Sequence, residues 1–542
     1  MKVTYDASEM HVSEQGVENV FWPLTRSEHE ASRDALLSGL VSVARARGDE
    51  LDVERDLLAA MLQLLMREGL ALLMIYSIGR RAKEKGHHVI WPAGNRQCMA
   101  IGAGEAPSVN DSVILRALRK GPACHPKWRR YPVRLRRDLK YNGWGWSSFR
   151  LLRADRDVVA CHTTDVLEEH ARSVPVTVKY TLLGEWFTAL DEDSAEVYDA
   201  TPLAPELTSD IVAVLQNAFA AIDETLPEIL AKYFETCVTR GARLARVHID
   251  RILSKPDKVP RQLWTGSGGY IWVRLLRHAV RRLGGEVTGH EHGTGESIVR
   301  YFNTKTFSDL ESVDRFVLFN SNQRRWLEDT IDERFLVPRE RPETLVPDYR
   351  KDLVRYAGRP LRGSRNERQA VDAPLRIMYV GPIYVGFSPR PNNHNSDILL
   401  IDWQARLFAK LRDWGFDVLF KPHPEGEQRP PRGFVEKLGV REINQPFEHV
   451  WNQADIFLFD WKSTTAFSTA ISTGLPVVLI DFHFQLFAPE MQALVEENCS
   501  LVEGWADESN RLQIDWNALH QAVEHQPAGN SSIVRETAFR FA

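Results

Sequence analysis

The stretch DVLFKPHPEGEQ contains residue types that bind phosphate, at a place where a strand is predicted to end. Lys421, His423 and Glu425 follow an apolar run, and Pro422 and Pro424 flank the histidine. Proline rings restrict the backbone, so they would hold the histidine at the end of this strand. A fixed imidazole and a lysine ammonium can both donate hydrogen bonds to a phosphate. The alternative is a proline turn with a solvated histidine.

A second polar stretch, DWKSTTAF, follows the next long apolar run. Asp460 ends that predicted strand, and Ser463, Thr464 and Thr465 begin a helix. Hydroxyl groups and unpaired backbone N–H groups at a helix N-terminus form an anion site without a metal. Helix capping alone would favour the same residue types. Because both stretches lie at strand ends of one predicted sheet, we favour a phosphate site to which both contribute.

The loop GPIYVGFSPRPNNHNSD follows the first predicted strand of the C-terminal half of the chain and contains glycines and a carboxylate. Gly381 has no side chain and would let the backbone approach a bound phosphate. Asp397 is either a carboxylate that faces the binding site at the strand ends or the N-cap of the following helix. The loop has neither the G-x-G-x-x-G spacing of dinucleotide sites nor a P-loop pattern, so both of those site classes are unsupported.

The stretch GHEHGTGES, at a predicted strand end in the first half of the chain, contains two histidines and a glutamate. In an extended chain His290 and His292 point to one side and Glu291 to the other. An H-x-H pair can bind zinc, but the spacing supplies no third ligand, so a polar loop that admits a sugar is the better interpretation. Four residues are predicted on the side of the site that would admit this sugar, which we call the acceptor side. They are Gly268, Gly269, His290 and Gly293.

The elements that must position these residues are strands and helices in regular alternation. In the last third of the chain, four continuous apolar runs alternate with helical segments, which predicts a parallel sheet covered on both faces. RQLWT, an amphipathic helix and the strand before GHEH predict a second parallel unit. We therefore expect an α/β fold with an N-terminal domain at residues 1–372, including extra helices and a linker at about 335–372, and a Rossmann-like domain at 373–542.

Composition and charge exclude several classes of protein. The chain has 542 residues, 43% hydrophobic and 26% charged, which is typical of a globular protein. A net charge of −5 argues against a protein that coats nucleic acid, so no nucleic-acid partner is expected. The most apolar segment is interrupted by Arg67 and Glu68 and is predicted as a buried helix. The N-terminus lacks a secretory pattern and the cysteines show no disulfide framework, so we expect a cytoplasmic location.

One basic tract, between Arg116 and Arg156, combines arginine and lysine with aromatic side chains. Cationic and aromatic side chains together suit the anionic headgroups of a membrane surface. We therefore expect peripheral contact with the inner face of a membrane. A solvated helical face with packed aromatic side chains is the alternative interpretation.

The order of the motifs resembles a known family. GHEHGTG, a linker, KPHP and DWKSTTAFSTAISTGLPVV follow one another as in the GT-B glycosyltransferases that build bacterial surface polysaccharides, namely lipopolysaccharide, O-antigen and capsule. The chain is similar to Kdo transferases and to sialyltransferases with a His-Pro motif, over roughly residues 261–502. The resemblance implies GT-B architecture, in which two Rossmann-like domains face a cleft.

The resemblance also implies an activity, the transfer of a sugar from a nucleotide-sugar donor to a surface-polysaccharide or lipid-linked acceptor. The His-Pro motif and the Ser/Thr-rich helix start would hold the donor phosphate, and the implied donor carries a CMP-linked acidic sugar such as Kdo. No metal is implied, and no cofactor beyond the nucleotide-sugar substrate. Asp397, Glu291 and His292 are the candidate catalytic residues. A CDP-linked polyol-phosphate transferase and an inactive GT-B module that binds carbohydrate stay open as alternatives.

Overall fold

The chain folds into two α/β domains, each built on a largely parallel sheet. A computed structural model describes residues 1–5, 10–47, 53–122, 158–190, 193–292, 299, 305–319, 321–331, 341–346, 374–387, 396–424 and 433–524. Within these residues, the strands of one sheet lie between Val158 and Leu345 and those of the other between Arg376 and Ile514. Long helices precede the first sheet. The prediction of an α/β fold with two Rossmann-like domains and extra N-terminal helices is confirmed.

The described residues form the following elements. The strands are β1 (Lys2–Thr4), β2 (Val12–Ser13), β3 (Gly16–Val17), β4 (His88–Ile90), β5 (Val158–Cys161), β6 (Val178–Tyr180), β7 (Gln262–Thr265), β8 (Glu286–His290), β9 (Arg315–Val317), β10 (Glu343–Leu345), β11 (Arg376–Val380), β12 (Asp417–Lys421), β13 (Arg441–Glu442), β14 (Ile456–Phe459), β15 (Val477–Asp481), β16 (Ser500–Ala506) and β17 (Leu512–Ile514). The α-helices are α1 (Arg26–Ala46), α2 (Val53–Glu84), α3 (Arg96–Gly102), α4 (Val113–Lys120), α5 (Asp165–Ser173), α6 (Ala195–Tyr198), α7 (Pro205–Ala220), α8 (Glu228–Leu253), α9 (Ile271–Arg282), α10 (Ser321–Thr330), α11 (Asp397–Asp413), α12 (Phe434–Lys437), α13 (Phe447–Val450), α14 (Thr465–Thr473), α15 (Pro489–Asn498) and α16 (Trp516–Glu524).

The N-terminal sheet has the strand order β10, β9, β8, β7, β5, β6, and every neighbouring pair is parallel. The predicted unit of strand, helix and strand is present as β7, α9 and β8. Strand β10 lies in the segment that we predicted as linker, because Glu343–Leu345 pairs with Arg315–Val317 at the sheet edge. Residues 335–340 and 347–372 of that linker lie outside the described residues, so the domain boundary stays a prediction.

The C-terminal sheet has the strand order β13, β12, β11, β14, β15, β16, β17. Its strands are parallel except for the antiparallel pair β16 and β17. The four predicted apolar runs are β11, β12, β14 and β15, and the last two are buried along their whole length, as expected for the centre of a parallel sheet. The strand order reverses between β11 and β14, because the chain extends the sheet first on one side of β11 and then on the other.

The long helix α2 is a core helix of the N-terminal domain. It includes Arg67 and Glu68, the charged residues that interrupt the apolar run. By length and composition it could cross a membrane, but 89% of its most apolar window is buried inside the fold, which confirms the prediction of a buried helix. The buried Glu68 carboxylate accepts hydrogen bonds from Ser112 Oγ at 2.9 Å and Val113 N at 2.6 Å. The start of helix α4 thus supplies hydrogen-bond donors to this group within the core, although burial raises the pKa of Glu68.

The N-terminal hairpin of β2 and β3 packs on the C-terminal domain. Val17 N donates to Asp402 Oδ1 of helix α11 at 3.0 Å. Asp402 is fully buried and also pairs with Arg406 and Arg511 at 2.8 and 2.7 Å. Residues that we assigned to the N-terminal domain therefore contribute to the other one. Local sequence patterns do not reveal this contact, because it joins positions almost four hundred residues apart.

Replacement of Gly16 by alanine is expected to undock this hairpin. Gly16 has a φ of +100°, and a Cβ there would lie 2.2 Å from Asp402 Oδ1. We expect Gly16→Ala to lower the free energy of unfolding by about 2–4 kcal/mol, since it adds backbone strain and a collision with a buried carboxylate. Gly86→Ala is the matched control, because Gly86 has a φ of +68° but nothing lies within 4 Å of its Cβ position. Equal losses in thermal unfolding would contradict the docking.

Candidate active site

A cavity of about 410 Å³ lies at the carboxyl end of the C-terminal sheet, where the strand order reverses. In open parallel sheets the loops at such a reversal diverge and leave a crevice for a ligand. The cavity walls come from the segments that follow β11, β12, β13 and β14. The residues of the predicted phosphate site that line it are Gly381, Lys421, His423, Ser463, Thr464 and Thr465.

Strand β12 brings a lysine and a histidine to one wall of the cavity. Lys421 ends the strand, is 5% exposed, and donates from Nζ to the backbone oxygen of Pro422 at 2.7 Å. The chain leaves the sheet directly afterwards, and His423 lies half-buried on the cavity wall between its two prolines. A nearly buried ammonium beside an imidazole makes this wall attractive to an anion.

The N-terminus of helix α14 forms another wall. Thr464 is the N-cap, and its Oγ1 accepts a hydrogen bond from Ala466 N at 3.2 Å. Ser463 and Thr465 lie on either side of it. The helix ends at Gly474, whose φ of 79° forms the left-handed cap expected of a glycine there. Because the positive end of the helix dipole lies at the cavity, this wall also favours an anion.

The position of Gly381, after β11, leaves no room for a side chain. A Cβ there would lie 2.8 Å from Phe420 Cε2 on the neighbouring strand. The Gly381 backbone N donates to the backbone oxygen of Lys421 at 3.0 Å, which continues the parallel ladder to the edge of the cavity. Packing against Phe420 therefore requires glycine here, and the residue lines the cavity between the two walls.

His292 belongs to the N-terminal domain but lines the same cavity. It lies two residues beyond the end of β8. The carboxyl ends of strands from both sheets therefore border one space, which is the cleft that the sequence predicts. The other lining residues end or follow strands of the C-terminal sheet, so His292 is the contribution of the N-terminal domain to this cavity.

The segment after β13 also lines the cavity, and sequence reasoning missed it. Its lining residues are Asn444, Pro446, Phe447 and Glu448. Strand β13 has two residues, both charged, so it shows no apolar run that would mark it as part of the sheet. Its pairing with β12 nevertheless carries the following loop to the same edge. The available signal was Pro446 directly before the short helix α13.

Asp397 is corrected as a catalytic candidate. The residue is buried, and its two carboxylate oxygens accept hydrogen bonds from Val385 N at 3.0 Å and Gly386 N at 2.7 Å. The N-cap of helix α11 is Ser396, one residue earlier than the alternative that we considered. Asp397 therefore holds the loop after β11 in place and does not line the cavity.

Glu291 is corrected in the same way. Its side chain is 1% exposed, and Oε2 lies 2.6 Å from Lys305 Nζ and accepts a hydrogen bond from Gln323 Nε2 at 2.6 Å. Oε1 accepts from the backbone N of His292 at 2.8 Å. A buried carboxylate paired with an ammonium is a poor base for an acceptor hydroxyl. Its contact with the backbone of His292 joins it to the residue that lines the cavity.

His290 lies in the interior of the N-terminal domain, which corrects its acceptor-side assignment. Its Nδ1 lies 2.9 Å from the backbone oxygen of Thr265, and its Nε2 lies 2.9 Å from His170 Nδ1. Burial lowers the pKa of His290 well below its ordinary value, so the ring is neutral. The H-x-H pair is thus divided between the core and the cavity wall.

The remaining acceptor-side predictions have different outcomes. Gly268 N donates to Asp309 Oδ1 at 2.6 Å, and a Cβ on Gly268 would lie 1.9 Å from the backbone oxygen of Ser308, so this glycine serves packing. Gly269 is exposed, and its contact with an acceptor stays a prediction. Gly293 and Glu425 lie outside the described residues.

Asp460 lies behind the loop that contains Ser463 and Thr464 and does not line the cavity. This position corrects its predicted contact with phosphate. Its Oδ2 accepts hydrogen bonds from Tyr379 Oη at 2.5 Å and Trp403 Nε1 at 3.0 Å. Its Oδ1 is buried and has no partner within the described residues. Burial raises the pKa of Asp460 to about 6. The carboxylate does not line the cavity, where it would repel a phosphate.

The described residues bear on two further predictions, metal independence and membrane contact. Within the described ranges, no group of three or more His, Cys, Asp or Glu side chains could hold a metal ion. The first residues of the basic tract belong to helix α4, but residues 123–156 lie outside the described part of the chain. Metal independence and membrane contact therefore stay predictions.

Comparisons with known proteins give distant similarities. No family model and no curated protein matches the chain. Among solved structures, sucrose-phosphate synthase from Thermosynechococcus elongatus is 13% identical with a TM-score of 0.35, over 71% of this chain and 92% of that one. A UDP-glucosyltransferase from Polygonum tinctorium has 11% identity and a TM-score of 0.33, over 71% and 93% of the two chains. The glycosyltransferase SsfS6 from Streptomyces sp. SF2575, complexed with thymidine diphosphate, has 13% identity and a TM-score of 0.27, over 70% and 99%. At these scores the similarities assign no family, and the fold is established by the two sheets themselves.

Asp460→Asn is expected to change how stability depends on pH. The pKa of Asp460 in the folded protein lies above the ordinary value, so folding favours the protonated form. Its contribution to stability is therefore complete at low pH and is lost as the pH rises through about 6. Between pH 5 and 7 the wild type should lose about 1 kcal/mol that the variant does not lose. Unfolding midpoints at both pH values test this, and a constant difference between the two proteins would contradict it.

Proposed function

We propose that the protein is a glycosyltransferase that binds a nucleotide-sugar donor on its C-terminal domain. The observation that carries the proposal is the convergence of Lys421, His423 and the Thr464-capped helix start in one cavity. These groups attract or donate hydrogen bonds to negative charge, as the phosphate of a donor requires. The cavity volume of about 410 Å³ lies in the range of small-molecule sites. The resemblance of the motifs to GT-B glycosyltransferases favours a nucleotide-sugar over other phosphorylated ligands.

The same groups provide a metal-independent route for departure of the nucleotide. In the proposed transfer, the bond between the anomeric carbon and the phosphate oxygen breaks, and the phosphate keeps the electron pair. The acceptor hydroxyl forms the new bond to the anomeric carbon and loses its proton to a base. Fixed hydrogen-bond donors and a helix dipole stabilise the charge that develops on the leaving phosphate.

We assign the role of base to His292. It lies on the cavity wall and comes from the domain opposite the donor site. The two carboxylate candidates are both engaged, Glu291 with Lys305 and Asp397 with backbone N–H groups. An imidazole takes up a proton near neutral pH, which suits activation of an acceptor hydroxyl.

The wall after β13 is the proposed site of the nucleoside. It lies one strand away from Lys421 and His423 on the side away from helix α14. Glu448 contributes a carboxylate there, which accepts hydrogen bonds from hydroxyl or amino groups. A ligand with a phosphate at one end and such donors at the other would match the polarity of the cavity.

The finer assignment rests on the motif resemblance. We propose a CMP-linked acidic sugar such as Kdo as the donor and a surface-polysaccharide or lipid-linked glycan as the acceptor, at the cytoplasmic face of a membrane. The basic tract between Arg116 and Arg156 supports the membrane contact. A CDP-linked polyol-phosphate transferase would use the same phosphate-seeking groups. Release of CMP from CMP-Kdo, compared with release from CDP-glycerol, distinguishes the two activities.

A screen for nucleotide binding tests the proposed function. Thermal unfolding with CMP, CDP, UDP, GDP and thymidine diphosphate should show one preferred nucleotide, which stabilises the protein by about 2.7 kcal/mol at a hundredfold excess over Kd. His423→Ala should weaken its binding about 10- to 100-fold, because a hydrogen bond to a charged group is lost. His520→Ala, on helix α16 away from the cavity, is the control. Failure of every nucleotide to stabilise the wild type would overturn the proposal.

Replacement of His292 separates binding from chemistry. We expect His292→Asn to lower kcat about 10²- to 10⁴-fold with the preferred donor, because the base is lost. The affinity for the nucleotide alone should stay within about threefold, since the phosphate contacts come from the other domain. Release of nucleotide measures kcat, and titration measures affinity. An unchanged kcat would favour another base or an inactive carbohydrate-binding module.

A further inference from the structure

Two loops border the cavity at the point where the strand order reverses. One runs from Gly381 to Phe387 after β11, and the other from Asp460 to Thr464 after β14. The first lines the cavity at Gly381, and the second supplies the hydroxyl groups at the start of helix α14. Because the two loops diverge from adjacent strands, their separation sets the width of the phosphate-binding space.

A chain of buried hydrogen bonds joins these two loops behind the cavity. Tyr384, in the first loop, donates from Oη to Gln404 Oε1. Gln404 Nε2 donates to Tyr379 Oη at 3.0 Å, and Tyr379 Oη donates to Asp460 Oδ2 at 2.5 Å. Trp403 Nε1 donates to the same oxygen at 3.0 Å. We call these five residues the Asp460 chain.

Every hydrogen bond in the Asp460 chain points toward the carboxylate. The tyrosine hydroxyl of each step donates onward, and the amide of Gln404 connects the two tyrosines with its oxygen and its nitrogen. All five side chains are buried. In such a series each bond polarises the next, so an anion at the end strengthens the whole connection. A neutral end group of the same shape would hold the two loops together less firmly.

The carboxylate at the end of the chain is costly for stability. Asp460 Oδ1 is buried without a partner among the described residues, and no cation pairs with the side chain there. The hydrogen bonds to Oδ2 compensate only in part for burial, which disfavours the charged form. A buried group of this kind calls for an explanation other than stability. Its place at the junction of the two cavity loops supplies one.

We propose that Asp460 is a positioning residue that fixes the spacing of the two phosphate-binding loops through the Asp460 chain. The proposal rests on the proposed function, since the ligand whose phosphate the loops would hold is the nucleotide of the donor. Asp460 acts through Tyr379 and Tyr384 and does not touch the ligand itself. The fold accepts a buried carboxylate because the connection sets the geometry of the site.

Three variants test the proposal. Tyr384→Phe removes one hydroxyl from the chain, at a residue that does not line the cavity. Asp460→Asn keeps the shape of the end group and removes its charge. Asp455→Asn is the matched control, because Asp455 anchors the opposite end of the same strand through hydrogen bonds to Arg376 N at 2.9 Å and Arg376 Nε at 3.2 Å. Affinity for CMP, CDP and UDP is measured by calorimetry, and hydrogen exchange of both loops is measured without ligand.

We expect Tyr384→Phe and Asp460→Asn each to weaken nucleotide binding about 5- to 30-fold and to raise hydrogen exchange in both loops. The affinity of the double variant should be at most about threefold lower than that of the weaker-binding single variant, because both changes break the same connection. Asp455→Asn should lower the unfolding midpoint and leave affinity and loop exchange unchanged.

The positioning role would be overturned if the losses of nucleotide affinity in the two single variants added up in the double variant. It would also be overturned if hydrogen exchange rose in one loop alone. An equal loss of affinity in Asp455→Asn would overturn it as well, since general destabilisation would then account for the effect. A wild type that binds none of the three nucleotides would count against the proposed function. The hydrogen-exchange comparison would then decide whether the two loops are coupled, because it needs no ligand.

Discussion

The parallel ladder of β12, β11 and β14 is the constraint on which the candidate site depends. Buried backbone N–H and C=O groups must be paired, and in this sheet they are paired strand by strand with a common direction. Three strands therefore end at one edge, and their following loops must leave the sheet there. The reversal of strand order at β11 separates those loops. Lys421, His423 and the start of helix α14 meet for this reason, although they lie about forty residues apart in sequence.

Buried charges divide the candidate residues into two groups. Glu291, Asp397 and Asp460 are carboxylates held by an ammonium, by backbone N–H groups or by a tyrosine and a tryptophan. Their contacts hold loops and strands, and none of the three lines the cavity. His292 and His423 are less buried and reach the cavity wall. Glu291, Asp397 and Asp460 thus support the site, while imidazoles, hydroxyls, one lysine and the Glu448 carboxylate line it.

The predictions that succeeded rest on local patterns. Continuous apolar runs identified β11, β12, β14 and β15, because a strand buried on both faces needs apolar side chains at every position. The Ser/Thr stretch identified the start of helix α14, because an N-cap depends on a few neighbouring residues. The predictions that failed concern side-chain partners. No local sequence pattern around Glu291 predicts Lys305 as its ion-pair partner.

The sequence by itself determined the α/β class, the positions of the central strands along the chain and the segments that follow them, since these follow from hydrophobic period and from capping. The tertiary structure alone decided which of the polar side chains at those ends reach the cavity. It placed His292 in the cavity and His290 in the core, added the loop after β13, and took the hairpin of residues 12–17 to the other domain. The physical reason is that burial and hydrogen bonding are set by non-local neighbours, which the period of a local segment does not contain.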